Sequence, residues 1–299
     1  MSEGEHDAVI NPAKVLKEQG YDVVFAPIKS DGGVDEEKFA ALLTPDVSLV
    51  SVMHVSNETG AVNDIAKLSA MTKRAAPKAV FHSDGVQAFG KIKVNLRSLG
   101  ADLYTVSGHK IHGPKGIGAL YVAKGAPVKP LVFGGGQEKG FRSGTENGPA
   151  IEAFAAAAER TMRNFEEDCS KKRRYLEYLR EGLENRVPDV KIITDTERSA
   201  PHILTVAFGG VRGEVLLHAL EERGILVGVG MAFIFLSGST TGGSDVVGYL
   251  LQSLLGLDEA HRDGIVRFSV SAFNDFSEVA TVVRETADAV ARLKEYARK

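Results

Sequence analysis

SGHKIHGPKGIGALYV, residues 107–122, sets Lys110 between two histidines and then runs three glycines into an apolar segment. Just upstream, Leu103 to Val106 of DLYTVS reads as a β-strand, so Lys110 sits at a strand's carboxyl end. In parallel α/β sheets that end is where ligands are bound. A lysine is almost never fully buried unless paired, and a solvated surface position is its ordinary fate. The flanking sequence decides between these readings. YDVVFAPI, VSLVSVMHVS, KAVFHSD, DLYTVS and GALYVAKG are short runs rich in apolar and β-branched residues that end at turn formers. DEEKFAALL and DIAKLSAMTKRAA between them carry apolar residues at helical spacing. Strand–helix alternation of this kind implies an α/β fold with a mainly parallel sheet covered on both faces. The apolar SLVSVMHV is expected to be a buried central strand.

From about Pro149 the texture changes. AIEAFAAAAERTMRNFEEDCSKKRRYLEYLREGLENRV is almost continuous good helix former, expected to join two domains. Beyond Pro188 come strand-like VKIIT and HILTVAFGGV, helix-like GEVLLHALEERG, strand-like ILVGVG, a Gly/Ser/Thr-rich loop, helix-like VVGYLLQSLLG and strand-like GIVRFSVSA. A last helix begins at Asn274 or Asp275, and Asp275 with Glu278 has capping-box spacing. The expected organisation is a large domain over 1–165 and a smaller α+β domain over 166–299.

Bulk properties narrow the classes. The 299 residues can bury a sizeable core, and a net charge of −3 gives no electrostatic footprint for nucleic acid. The single cysteine, Cys169, excludes an intrachain disulfide framework and a cysteine-rich metal site. It is expected on a helix surface. No apolar run reaches membrane-spanning length, and the acidic start MSEGEHDAVI lacks the marks of a signal peptide. The expectation is a soluble, cytoplasmic protein. HxxH at His109 and His112 has neither carboxylate nor cysteine beside it, so a metal is disfavoured. GPKGIG and GGGQEKG lack the GK[ST] ending of a nucleotide phosphate loop.

Polar residues then gather at strand ends: Asn57 and Glu58 after SLVSVMHVS, Asp84 and Gln87 after KAVFHSD, and Ser107, His109 and Lys110 after DLYTVS. In a parallel sheet these would share one crevice. A lysine that can form a Schiff base and a carboxylate that can keep a pyridine nitrogen protonated suit pyridoxal phosphate; hydroxyl and imidazole donors suit its phosphate.

The runs EHDAV (5–9), HVSNETG (54–60), HSDGVQAFGKIKV (82–94), SGHKIHGPKGIGALYV and GGGQEKGFRSGTEN (134–147) together resemble the cysteine desulfurases. These are class V, fold type I pyridoxal-phosphate enzymes, a group that includes selenocysteine lyases. The resemblance extends through RFSVSAFN (267–274). It implies a large domain of the seven-stranded type, mainly parallel, and a smaller C-terminal domain. It implies pyridoxal 5'-phosphate as cofactor, with Lys110 the Schiff-base lysine, His6 the imidazole stacked on the ring, Asp84 at the pyridinium nitrogen and Gln87 beside the phenolic oxygen. Ser107 and His109 match phosphate positions, and Thr145 one that reaches the phosphate of a neighbouring subunit in a homodimer. Asn57 and Arg267 match positions that hold the substrate's α-carboxylate, Asn57 also lying beside the cofactor; the forked guanidinium suits a carboxylate. An L-cysteine-class substrate, a sulfur-acceptor or scaffold partner and a place in iron–sulfur cluster assembly are further implications.

Two departures shape the expectation. In the family a long segment with a Gly/Thr phosphate loop precedes the EHxAV motif, which here starts at residue 5. A weakened phosphate site and an uncovered sheet edge or apolar face are therefore expected, unless another polypeptide supplies the segment. The family also carries a cysteine in a loop of the pattern Gly-Ser-Ala-Cys, where this chain has Gly230, Met231, Ala232 and Phe233. The expected function is that of a desulfurase-family protein impaired as an isolated chain. The alternatives are a pyridoxal-phosphate enzyme of selenocysteine lyase-like or aminotransferase type, and a non-catalytic scaffold or dimer partner.

Overall fold

Asp64, Asn95 and Asn147 each precede a helix, and each turns its side chain onto a backbone N–H of the first turn. Such caps fix where helices start, because the first N–H groups have no partner within the helix. The computed structural model describes residues 1–229 and 256–297. They divide into two compact units. The first comprises 1–26, 36–55 and 63–165; the second comprises 27–35, 56–62 and the chain from 166 onward.

In the first unit the elements are α1 (Asp7–Glu18), α2 (Glu36–Ala41), β1 (Leu49–Ser51), α3 (Ile65–Ala75), β2 (Val80–Asp84), α4 (Leu96–Leu99), β3 (Leu103–Ser107), β4 (Gly118–Val122) and α5 (Gly148–Arg163). The sheet order is β1-β2-β3-β4. The first three strands run parallel, and β4 returns antiparallel along β3. The described sheet thus has four strands where the resemblance implied seven. SLVSVMHV supplies only the short β1 at one end of this order, rather than a central strand. It is nevertheless buried from Val50 to Ser56, and the Ser2 N–H donates to the Ser51 carbonyl (3.1 Å). At the other end β4 is exposed, with Leu120 at 49%.

YDVVFAPI was expected as a strand and forms only single bridges, Ser2 with Ala26 and Ile28 with Val34. The predicted continuous helix is two helices, α5 and α6 (Phe165–Arg186), with Asn164 closing the first. Asparagine competes with the helix for backbone hydrogen bonds, which suits it to a terminus.

In the second unit α6 is followed by β5 (Val190–Ile192), β6 (Ile203–Phe208), α7 (Gly213–Glu221), α8 (Glu259–Arg262), β7 (Ile265–Ser269) and α9 (Phe276–Ala297). The sheet β5-β6-β7 is antiparallel throughout. Every residue of β6 is buried, and Leu179, Leu183, Leu216, Leu220 and Val283 pack into the same core. Each such side chain contributes roughly 1.5–3 kcal/mol. Asp275 and Glu278 form the expected capping box: Asp275 Oδ1 accepts from the Glu278 N–H (2.9 Å), and Glu278 Oε2 accepts from the Asp275 N–H (3.1 Å). ILVGVG was expected as a strand and, among its described residues, reaches β7 only through the single pairing of Gly228 with Arg267. Residues 230–233 and the helix expected over VVGYLLQSLLG up to residue 255 lie outside the described residues.

Candidate active site

Parallel pairing sets Asp84 opposite Thr105, so the carboxyl ends of β2 and β3 lie side by side. After Ser107 the chain turns through a single 3-10 turn, Gly108–Ile111, which carries His109 and Lys110. Helix α5 packs against this turn. Asp84, Ser107, His109 and Lys110 therefore come to one edge of one sheet. Asp84 and Ser107 are half-buried, and His109 and Lys110 are exposed.

Asp84 Oδ1 accepts from the Val86 N–H at 2.9 Å, which fixes the carboxylate at the strand end. Beside it, the buried His54 Nδ1 lies 2.8 Å from the Tyr104 hydroxyl, and the two rings meet edge to face. A Cβ on Gly85 would lie 2.0 Å from the Tyr104 ring, so only glycine permits this approach. Burial drives the His54 pKa down to about 4 and, with the Asp84 charge, raises that of Tyr104. His54 is thus a neutral imidazole and Tyr104 a neutral phenol at neutral pH.

Glu5, in the EHDAV motif, is 6% exposed. Its Oε1 accepts from the Met53 N–H at 2.5 Å, while Oε2 is buried and has no hydrogen-bond partner among the described residues. Burial, opposed by the Met53 hydrogen bond and reinforced by the Asp84 charge, raises its pKa to about 8. The neighbouring His6 caps α1, with Nδ1 accepting from the Ala8 N–H (3.1 Å). His82 bridges Ser51 Oγ (2.8 Å) and Thr105 Oγ1 (2.9 Å), and burial lowers its pKa. Glu5, His54 and Tyr104 were not singled out from sequence. Their signal was the position of Glu5 and His54 inside the two motifs, and of Tyr104 one residue out of phase with Leu103 and Thr105.

At the exposed turn, Ser107 Oγ and His109 Nδ1 are 2.7 Å apart. Burial and the positive charges of Lys110, Lys115 and Lys91 hold the His109 pKa below the ordinary value. That concentration of positive charge suits an anion. Gln87 is half-buried one turn beyond Asp84, and Thr145 is exposed after Gly144, whose N–H donates to Gln137 Oε1 (3.0 Å).

Asn57 and Arg267 belong to the second unit. There Arg267 Nη1 donates to the Asn57 carbonyl (2.7 Å) and to Glu58 Oε1 (2.9 Å). Strand β1 ends at Ser51, so Asn57 and Glu58 do not extend the four-stranded sheet as the sequence suggested. Among the described residues no three His, Cys, Asp or Glu side chains group as metal ligands, and no helix is long and apolar enough to cross a membrane.

A primary amine, a fixed carboxylate on the adjacent strand, and hydroxyl and imidazole donors in positive surroundings make the donor set that pyridoxal phosphate requires. The profile of the class-V aminotransferases matches residues 1–282. The chain belongs to the class-V aminotransferase family, whose cysteine desulfurases depend on pyridoxal phosphate. A cysteine desulfurase of Nostoc sp. (strain PCC 7120) is 36% identical over 290 residues, 97% of this chain and 70% of that protein. The cysteine desulfurase NifS of Azotobacter vinelandii is 34% identical over 291 residues, again 97% and 70%. Within the family the chain stands with the cysteine desulfurases, and its mixed α/β architecture is that of fold type I. A solved NifS-like protein superposes with TM-score 0.87 at 32% identity, covering 98% of this chain and 74% of that one. A structure of SspA in complex with cysteine superposes with TM-score 0.72 at 27% identity, covering 92% and 73%.

Proposed function

We propose that this chain binds pyridoxal 5'-phosphate at the carboxyl ends of β2 and β3 and acts on amino acids of the L-cysteine class. The family's sulfur transfer would be impaired at the step that needs a protein thiol. The observation that carries this reading is the placement of Lys110 in the turn directly after β3, with Asp84 fixed at the end of the neighbouring parallel strand. Lys110 would hold the cofactor's aldehyde carbon covalently, and Asp84 would keep the pyridine nitrogen protonated. Gln87 would face the phenolic oxygen and His6 the ring. Ser107 and His109 would bind the phosphate, joined by Thr145 of a second copy in a homodimer. Asn57 would serve both cofactor and substrate, and Arg267 would hold the substrate's carboxylate. Bound pyridoxal phosphate supplies an electron sink for charge developing at the substrate's α-carbon. In this reading residues 1–165 form the cofactor-binding domain and 166–299 the smaller one.

The thiol is the weak point. Cys169 is the chain's only cysteine. It lies in α6, half-buried rather than fully on the helix surface. Burial raises its thiol pKa, with Glu166 and Asp168 adding to the effect against Lys172 and Arg173. A thiol held above its ordinary pKa has little thiolate at neutral pH and is a poor sulfur acceptor. The same observation favours a second reading, in which the site runs chemistry that needs no protein thiol, of the selenocysteine lyase or aminotransferase kind. A sulfur-acceptor or scaffold partner and a role in iron–sulfur cluster assembly belong to the first reading alone.

The test is release of sulfide and alanine from L-cysteine with excess cofactor and a reductant. A parallel sample without reductant is examined by mass spectrometry for persulfide. Slow turnover at most and an unmodified Cys169 are expected. Stoichiometric persulfide on Cys169, or multiple-turnover alanine formation lost in Cys169→Ala, would contradict the proposal.

A further inference from the structure

Among the described residues, the guanidinium of Arg267 is held from one side only. Nη1 takes the Asn57 carbonyl at 2.7 Å and Glu58 Oε1 at 2.9 Å. Nε and Nη2 make no hydrogen bond among the described residues. Glu58 Oε1 also accepts from Asn57 Nδ2 at 2.6 Å, so one carboxylate oxygen joins the amide to the guanidinium. The backbone of Glu58 is itself tied down. Its N–H donates to Ser56 Oγ (3.3 Å), and its carbonyl accepts from the Thr205 hydroxyl. Thr205 is the residue directly opposite Arg267 in the β6–β7 ladder. Arg267 is also doubly bonded, N–H and carbonyl, to Gly228. A Cβ at Gly228 would lie 2.9 Å from Nη2, so the bare backbone there leaves room for the guanidinium. Glu58 and Arg267 are each about three-quarters buried, with side-chain exposures of 23% and 24%. Solvent screening of their interaction is therefore reduced.

We propose that Glu58 is the positioning residue for Arg267: it fixes the guanidinium through Nη1, leaves the Nε–Nη2 edge to receive a ligand carboxylate, and tempers the charge that this edge offers. The inference rests on the reading of Arg267 as the substrate-carboxylate residue. A planar fork gains specificity when both donors of one edge face the ligand, which requires the other edge to be anchored. The anchor is itself negative, so it repels the carboxylate it helps to place. Anchoring and repulsion are separable, because glutamine keeps the oxygen acceptor and loses the charge.

The experiment uses the 299-residue chain loaded with pyridoxal phosphate. It compares spectral titrations with L-alanine and with ethylamine, which lacks the carboxylate. The quantity read is the ratio of the two affinities. Arg267→Ala is expected to lower the ratio at least 10-fold, and Glu58→Ala to lower it by a similar factor. Glu58→Gln is expected to raise it about 3-fold or more, by removing a like charge from the carboxylate's surroundings. A merely structural role for Glu58 would move both ligands together and leave the ratio unchanged. If Glu58→Ala does not fold, Glu58→Gln decides: a ratio equal to or below that of the unaltered protein overturns the proposal. Should Arg267→Ala collapse the ratio while Glu58→Ala preserves it, Glu58 loses its role and the carboxylate reading stands. An unaltered ratio in Arg267→Ala, or protein that takes up no cofactor, removes the reading underneath and the proposal with it.

Discussion

The candidate site in the first unit has a floor and a rim, and they are held by different physics. The floor is Glu5, His54, Tyr104 and Gly85 around Asp84; its four members other than Asp84 are all buried. There the His54–Tyr104 contact at 2.8 Å and the close approach of Gly85 to the Tyr104 ring leave no freedom. The rim is Ser107, His109 and Lys110, of which all but Ser107 are exposed. Within it Ser107 Oγ and His109 Nδ1 meet locally at 2.7 Å. Packing therefore fixes the Asp84 carboxylate in place, whereas His109 and Lys110 are displayed to solvent. Preorganised groups avoid the entropic cost of ordering on binding, and displayed groups incur it. Floor mutations should thus appear in stability, and rim mutations in ligand affinity.

The sharpest way to break this contrast is Gly85→Ala. The new Cβ would stand 2.0 Å from Tyr104, and the ring is fully buried. Overpacking a rigid core costs about 1–3 kcal/mol, and the upper end is expected here. Urea denaturation measures it. A loss within 0.5 kcal/mol would mean that the floor yields, and the contrast would fail.

A smaller effect comes from protons. The Glu5 carboxyl has its pKa raised to about 8 in the folded protein, against a model-peptide value of 4.5. Between those values the folded state binds the extra proton, so stability falls as pH rises and levels off above pH 8. His54 works oppositely: with its pKa lowered to about 4, it costs stability as pH drops below 6.5. From pH 6.5 to 8 only the Glu5 contribution of these two remains, worth about 2 kcal/mol at roughly 1.4 kcal/mol per pH unit. Glu5→Gln should flatten that stretch of the stability profile. Parallel profiles for the two proteins would show that Glu5 ionises normally.

The least effect on stability belongs to the rim. His109→Ala should change unfolding free energy by no more than about 0.5 kcal/mol, as surface substitutions do. It should still weaken pyridoxal phosphate uptake severalfold. A large stability loss with unchanged uptake would make His109 structural.

This contrast also explains what the sequence disclosed. The placement of Asp84, Ser107 and Lys110 at one sheet edge was legible because a strand's end is marked by polar and turn-forming residues, and a parallel sheet brings such ends together. The strands KAVFHSD, DLYTVS and GALYVAKG were legible for the same reason. The floor was not, since a buried histidine or tyrosine is chosen by neighbours distant in sequence: His54 meets Tyr104 across 50 residues. Periodicity also misled where an apolar run lacked a partner. YDVVFAPI and ILVGVG have strand composition, yet a strand forms only where a neighbour supplies a ladder, and each finds a single bridge or two. The break between α5 and α6 at Asn164 was hidden by the helix formers on either side.

The most direct test of the account is to locate the covalent attachment. Purified protein is incubated with pyridoxal phosphate, reduced with borohydride, digested and mapped by mass spectrometry. The account predicts a pyridoxyl group on Lys110, stoichiometric and lost in Lys110→Ala. Stoichiometric label on another lysine with Lys110 unmodified, or no label at saturating cofactor, would contradict it.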